Sequence, residues 1–169
     1  MNILYIMLRC NLLKRLFSCG TTQKVEWKDT IPFVPPIVGG EVIKVYDGDT
    51  ITIASKLPYK KSPLYRFSVR LNGIDCPEIK GKTEEEKECA KLGRDMVSKL
   101  ILGEYVMLNN VKTEKYGRVL ADVSYKGKSI GKWLLNNNLA VSYDGGTKIC
   151  PDNWMKYHKE VEFTDIWSV

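Results

Sequence analysis

The 169-residue chain contains a single histidine, His158, and five cysteines, none in the CxxC spacing of a zinc site. Structural zinc is therefore not indicated, and an odd number of cysteines does not make a disulfide scaffold. A reducing, intracellular compartment is the default expectation. There is no GxSxG nucleophile elbow, so a Ser-His-Asp hydrolase or a histidine-based nuclease would rest on His158 alone. His158 lies far from every motif and reads as a surface residue. Internal repeats are absent. The opening "MNILYIMLRCNLLKRLFSCG" is apolar but broken by Arg9, Lys14 and Arg15, which leaves no run near the roughly 20 residues needed to cross a bilayer. Its positive charges follow the apolar stretch, the reverse of a secretory signal, and Asn2 stands where myristoylation needs Gly.

What is present suits one soluble domain with a proper core: 44% of residues are hydrophobic and 27% charged. The net charge is +6, and half of that excess falls in residues 1–40, where Arg9, Lys14, Arg15, Lys24 and Lys28 face only Glu26 and Asp29. An anionic partner fits this balance, and so does ordinary solubility. Residues 1–20, basic and acid-poor, suit a segment that lies on a membrane surface or acts as an organelle address, with Cys10 and Cys19 as acylation sites. A tail without fixed structure is the alternative. A monomer is the expected state.

"IPFVPPIVGG" (31–40) combines three prolines with a Gly pair and reads as a linker, which divides the chain into a tail and linker over 1–40 and a domain over 41–169. "EVIKVYD" and "TITIASK" alternate apolar and polar residues about Asp-Gly-Asp, the pattern of two strands joined by a tight turn. A polar loop follows, then "RFSVRLNGID" as a third strand. "TEEEKECAKLGRDMVSKLIL" changes period: Thr83 and Glu86 suit a capping box, and Cys89, Gly93, Met96 and Leu100 recur at helical spacing. "YVMLNNVK" and "RVLADVSY" are two further strands, and "SIGKWLLNNNLA" is a short helix. The fold class is α+β, mainly β, with two to three helices. Five short antiparallel strands with an inserted helix suit a small closed barrel, because closure removes unpaired edges.

The chemistry concentrates in three stretches. "YDGDT" (46–50) sets Asp47 and Asp49 about a glycine, which on its own is an ordinary turn. "RLNGIDCPE" (70–78) sends Asp75 off a strand end and Glu78 past a proline-fixed bend, with Arg70 on the strand. Carboxylates grouped at strand ends repel one another unless a cation sits between them. Two aspartates from separate turns plus a carbonyl form a hard-oxygen set that suits Ca²⁺, so Asp49 and Asp75 are the candidate ligands. "EKYGR" (114–118) adds Arg118, and alone is a plain Gly turn. Together they supply metal carboxylates, a further carboxylate and two guanidinium groups, the groups that phosphodiester hydrolysis needs.

The order DGDT, RLNGIDCPE, KYGR, with IWS near the end, resembles the staphylococcal nuclease-like (thermonuclease) family over roughly residues 41–169. That resemblance implies a five-stranded OB-fold barrel, Ca²⁺ as cofactor, and cleavage of DNA and RNA with little sequence preference to leave 3′-phosphate ends. By the same resemblance Asp49 and Asp75 are calcium carboxylates, and Cys76, where the family often has Thr, contributes its main-chain carbonyl. Glu78 is the general base acting on water, and Arg70 and Arg118 bind phosphate. Lys115 and Tyr116 hold the substrate's terminal phosphate, and Tyr143 lies near a tyrosine on which a base stacks. Relatives of this fold that have lost site residues act as scaffolds, so the alternative is a non-catalytic module for single-stranded nucleic acid, tethered to a membrane through the N-terminal tail.

Three departures qualify the resemblance. The loop between the second and third strands is longer and carries Lys56, Lys60, Lys61 and Arg66 with Tyr59 and Tyr65, a mixture that suits a single strand or a plain solvated loop. "CPDNWMKYHKEVEFTDIWSV" leaves less room for a long last helix. Cys76 becomes an oxidation liability if its side chain is exposed.

Overall fold

A computed structural model describes residues 24–114 and 116–167. The chain divides into two units, 1–32 and 33–169. In the first, the described residues form a 3-10 turn at Trp27–Asp29, closed by the Glu26 amide donating to Asp29 Oδ2 at 2.9 Å.

The second unit is a barrel. Strands β1 (Gly39–Val45), β2 (Thr50–Lys56) and β3 (Leu64–Leu71) form an antiparallel meander. After a two-residue strand β4 (Ile74–Asp75) and helix α1 (Glu84–Ile101) come β5 (Tyr105–Thr113) and β6 (Val119–Tyr125). β5 pairs with β1, and β6 pairs with both β5 and, in parallel, β3. The ring β1-β2-β3-β6-β5 therefore closes on itself, which is the OB-fold barrel. The short β7 (Lys128–Ser129) leads into α2 (Ile130–Asn136), then β8 (Val141–Ser142) and α3 (Trp154–Lys159).

Alternation fills the interior: Ile51 and Ile53 from β2, and Val119, Ala121 and Val123 from β6, are buried. α1 lays Cys89, Ala90, Gly93, Val97 and Ile101 against that core. Met96 and Leu100, expected on the same stripe, only pack against its margin. Thr83 caps the helix by accepting from the Glu86 amide at 3.1 Å. The capping box is not closed, because the Glu86 carboxylate accepts instead from the amides of Lys82 (2.9 Å) and Glu78 (3.4 Å).

Two differences from the sequence reading have plain causes. The Gly pair read as linker opens β1: a Cβ on Gly39 would lie 2.3 Å from the Val106 carbonyl oxygen, and one on Gly40 2.5 Å from that of Ala54. These glycines allow close strand approach, and Ile37 before them is buried in the core. The strand expected over 66–75 stops at Leu71, because Gly73 takes φ +79° and turns the chain so that Ile74 and Asp75 pair with Ser142 and Val141. His158 is also more than a surface residue: it is half-buried on α3, its Nδ1 2.7 Å from the Asn137 carbonyl. The last helix has six residues, as the shortened C-terminus implies.

Candidate active site

One rim of the barrel collects the charged residues. Thr50 and Arg70 are partners in the β2–β3 ladder, so Arg70 starts beside the Asp-Gly-Asp turn. Asp49 is buried and pulled inward by three donors: Thr50 Oγ1 at 2.8 Å, Arg70 Nη1 at 2.9 Å and the Cys76 amide at 3.2 Å. The other Arg70 nitrogen, Nη2, pairs with Asp75 Oδ1 and reaches the Ile74 carbonyl at 3.5 Å. A single guanidinium thus joins two aspartates from different turns. Burial works against the Arg70 charge, but Asp49 and Asp75 outweigh it and hold its pKa above the ordinary value.

Asp47, Asp49, Arg70, Asp75, Cys76, Glu78 and Arg118 line one cavity of about 240 Å³. Six of the nine sequence-predicted site residues are in it. Glu78 is exposed on the bend after Pro77 and makes no side-chain bond among the described residues. Arg118 is held by Glu114 in a two-pronged pair, Nε to Oε2 at 2.9 Å and Nη2 to Oε1 at 2.7 Å, on the turn where Gly117 takes φ +78°. Tyr143 lies outside that cavity, in an adjoining one of about 320 Å³ walled by Arg70, Leu71, Glu114 and Leu120. Tyr116 is 73% exposed and lines neither cavity. Lys115 lies outside the described residues.

The acids around the cavity strain one another. Burial and the neighbouring Asp49 charge push the Asp47 carboxyl up to about 7, and its Oδ1 is buried with no hydrogen-bond partner. Cys76 is buried, and desolvation together with the adjacent aspartates raises its thiol well above the ordinary range. The exposure that would make it an oxidation liability is absent, since its sulfur packs against Gly48, where a Cβ would come within 2.8 Å.

Among the described residues no three His, Cys, Asp or Glu side chains converge on a common metal position. The available donors are two carboxylates, Asp49 and Asp75, the Cys76 main-chain carbonyl, and the unpartnered Asp47 oxygen. All are hard oxygens, the chemistry a calcium ion takes, and their uncompensated acid oxygen fits a site for a cation.

Sequence reasoning missed Glu114, which sits four residues before Arg118 in a spacing that could have been read as a clamp. It set Asp47 aside as a turn residue. Glu86, read only as part of a helix capping box, holds the Glu78 amide, and Lys148, whose ammonium pairs with Asp75 Oδ2, carries no motif signal at all.

The architecture is thus a closed OB-fold barrel whose rim carries an acidic cluster spanned by one arginine and faced by another. This chain belongs to the staphylococcal nuclease homologues: the model of that family matches residues 68–161. Among named proteins it is similar to a probable endonuclease of Schizosaccharomyces pombe, 28% identical over 153 residues that cover 82% of this chain and 66% of that one. An uncharacterized endonuclease of Escherichia coli is 27% identical over 108 residues, 63% of this chain and 62% of its own length. A probable endonuclease of Eremothecium gossypii is 28% identical over 100 residues, 55% of this chain and 36% of its own. The chain thus spans under two thirds of these relatives' length.

Proposed function

We propose that the protein is a calcium-dependent nuclease that hydrolyses phosphodiesters of DNA or RNA with little sequence preference, leaving 3′-phosphate ends. The observation that carries this reading is the single cavity holding Asp49, Asp75, Glu78 and both arginines.

Asp49, Asp75 and the Cys76 carbonyl would hold the calcium, which when bound supplies positive charge against the phosphate and its developing negative charge. Arg118 would offer the outer edge of its planar fork to two phosphate oxygens while Glu114 holds the other edge, and Arg70, whose terminal nitrogens are held by Asp49 and Asp75, would add its positive charge beside the phosphate. Glu78, without a side-chain hydrogen bond among the described residues, would orient a water toward phosphorus. Carboxylates as a class are weak bases at neutral pH, so orienting the water contributes more than removing its proton. Attack opposite the 5′-oxygen breaks the P–O5′ bond and leaves phosphate on the 3′ side. Contacts of this kind read backbone and not base edges, which gives little sequence preference. Tyr143, beside the cavity, would offer a face for a base, and the family resemblance assigns Lys115 and Tyr116 to the substrate's terminal phosphate.

The experiment is a plasmid and single-strand cleavage assay in Ca²⁺, Mg²⁺ and EDTA, with Glu78→Gln as control. Cutting in calcium that disappears in EDTA and drops sharply in the variant is expected; full activity in EDTA would sink the reading. Exposed Tyr59 and Tyr65 beside Lys60, Lys61 and Arg66 favour a second reading, a module that binds single strands without cutting them. Salt-sensitive DNA binding by a folded protein with no cleavage in any metal would select it. Residues 1–20 would place either activity at an intracellular membrane surface, which fractionation of cells expressing a tail-deleted chain would test.

A further inference from the structure

Lys148 comes from the segment between β8 and α3, outside every sequence motif. Its ammonium pairs with Asp75 Oδ2 and donates to the Cys76 main-chain carbonyl at 3.4 Å. Those two oxygens belong to the donor set described for calcium. A cation of this chain's own therefore stands on part of the site.

The two cations on Asp75 are held differently. Arg70 is fixed by three acceptors, Asp49, Asp75 and the Ile74 carbonyl. Lys148 has two contacts at the end of a flexible four-carbon stem. The acidic groups facing it are Asp75 and Glu78, with the Cys150 thiol close by, and the pairing with Asp75 supports its charge against the opposing effect of burial. A divalent ion taking Asp75 and the Cys76 carbonyl would meet the ammonium within a few ångströms. Like charges held that close in a partly buried site repel one another strongly. One of the two must leave, and the lysine is the one free to swing out.

We propose that Lys148 is a built-in counter-cation of the metal site. It holds Asp75 and the Cys76 carbonyl in the metal-free protein, is displaced when a divalent cation binds, and so weakens the affinity for that cation. This rests on the calcium reading above and adds a residue that sets its threshold. An ordinary structural ion pair would stabilise the metal-free chain without resisting the metal.

Calorimetric titration of the full chain with calcium chloride, for wild type, Lys148→Met and Lys148→Arg, separates these cases. Lys148→Met should bind calcium about tenfold more tightly, a difference of about 1.4 kcal/mol, and should melt at a lower temperature in EDTA, while Lys148→Arg stays close to wild type. Equal or weaker calcium affinity in a folded Lys148→Met overturns the proposal and leaves the calcium reading intact. Absence of calcium binding in every variant overturns both. Should Lys148→Met misfold by circular dichroism, hydrogen exchange on the wild type decides: calcium should slow exchange at 75–78 and speed it at 146–150. Slowing at both segments, or no change at 146–150, overturns it.

Discussion

Arg70 bridges Asp49 and Asp75 through its two terminal nitrogens, so the turn after β1 and the bend after β3 are fastened by one side chain. That arrangement makes Arg70 a structural keystone, beside the phosphate-binding role proposed for it. Arg70→Ala would leave buried Asp49 without its cation and Asp75 with Lys148 alone, a loss of about 3–5 kcal/mol, as when one partner of a buried pair is removed. Arg70→Lys keeps the charge but reaches one aspartate at a time, so cleavage should fall on the order of a hundredfold. Chemical denaturation and initial cleavage rates measure the two effects separately; an active, fully stable Arg70→Lys would show that the fork is not needed.

The Asp47 carboxyl, raised in the folded protein to about 7 from 3.8, binds its proton more tightly folded than unfolded. Its contribution to stability is full below the unfolded pKa and is lost as pH rises toward 7. In EDTA, wild type should therefore lose stability between pH 4 and pH 7 through this group. Asp47→Asn should melt higher than wild type at pH 8 and gain little at pH 4. A variant with the same pH profile as wild type would contradict the assignment.

Glu114 aims Arg118 through two parallel bonds, yet the Arg118 side chain is 31% exposed. Stability should hardly register the loss, with Glu114→Ala changing it by under about 1 kcal/mol. Aim should register it more, and KM for a short DNA substrate should rise several-fold with a smaller change in kcat. A Glu114→Ala enzyme with wild-type KM would mean that substrate orients Arg118 unaided.

Far from the cavity, Asn137 is completely buried, and its side chain donates to Trp133 and Thr164 carbonyls and accepts from the Thr164 amide. Trp167 adds a bond from Nε1 to the Tyr125 carbonyl at 3.2 Å and packs edge-on against Trp133. Asn137→Ala should cost about 1–3 kcal/mol, the penalty for stranding buried polar groups. The unfolding midpoint should drop, while kcat and KM of the folded protein stay put.

Much of this was legible in the residues. Period-two alternation in "TITIASK" and "RVLADVSY" marks strands because one face of each meets the core, and the helical stripe of α1 follows the same logic. The site motifs were legible because their residues are close in sequence and chemically unusual at strand ends. Other features escape a linear reading. Glycines at 39 and 40 look like a linker until β5 and β2 are known to approach them, and Gly73 splits a stretch whose pattern reads as one strand. Lys148 lies 73 residues beyond Asp75, in a coil segment with no pattern, and only the short β4–β8 pairing brings its neighbourhood to the rim.

The parallel β3–β6 ladder has a kinetic consequence. It aligns Arg70 with Leu120, and joins segments separated by the whole of α1 and β5. Closing so long a loop costs chain entropy before any contact rewards it, so this ladder should form late in folding. A nascent or partly folded chain thus carries both arginines but keeps them apart, and the cleft is assembled only when the ring is complete. Competence at this rim is in that sense a certificate of finished folding, issued by the same hydrogen bonds that shut the barrel.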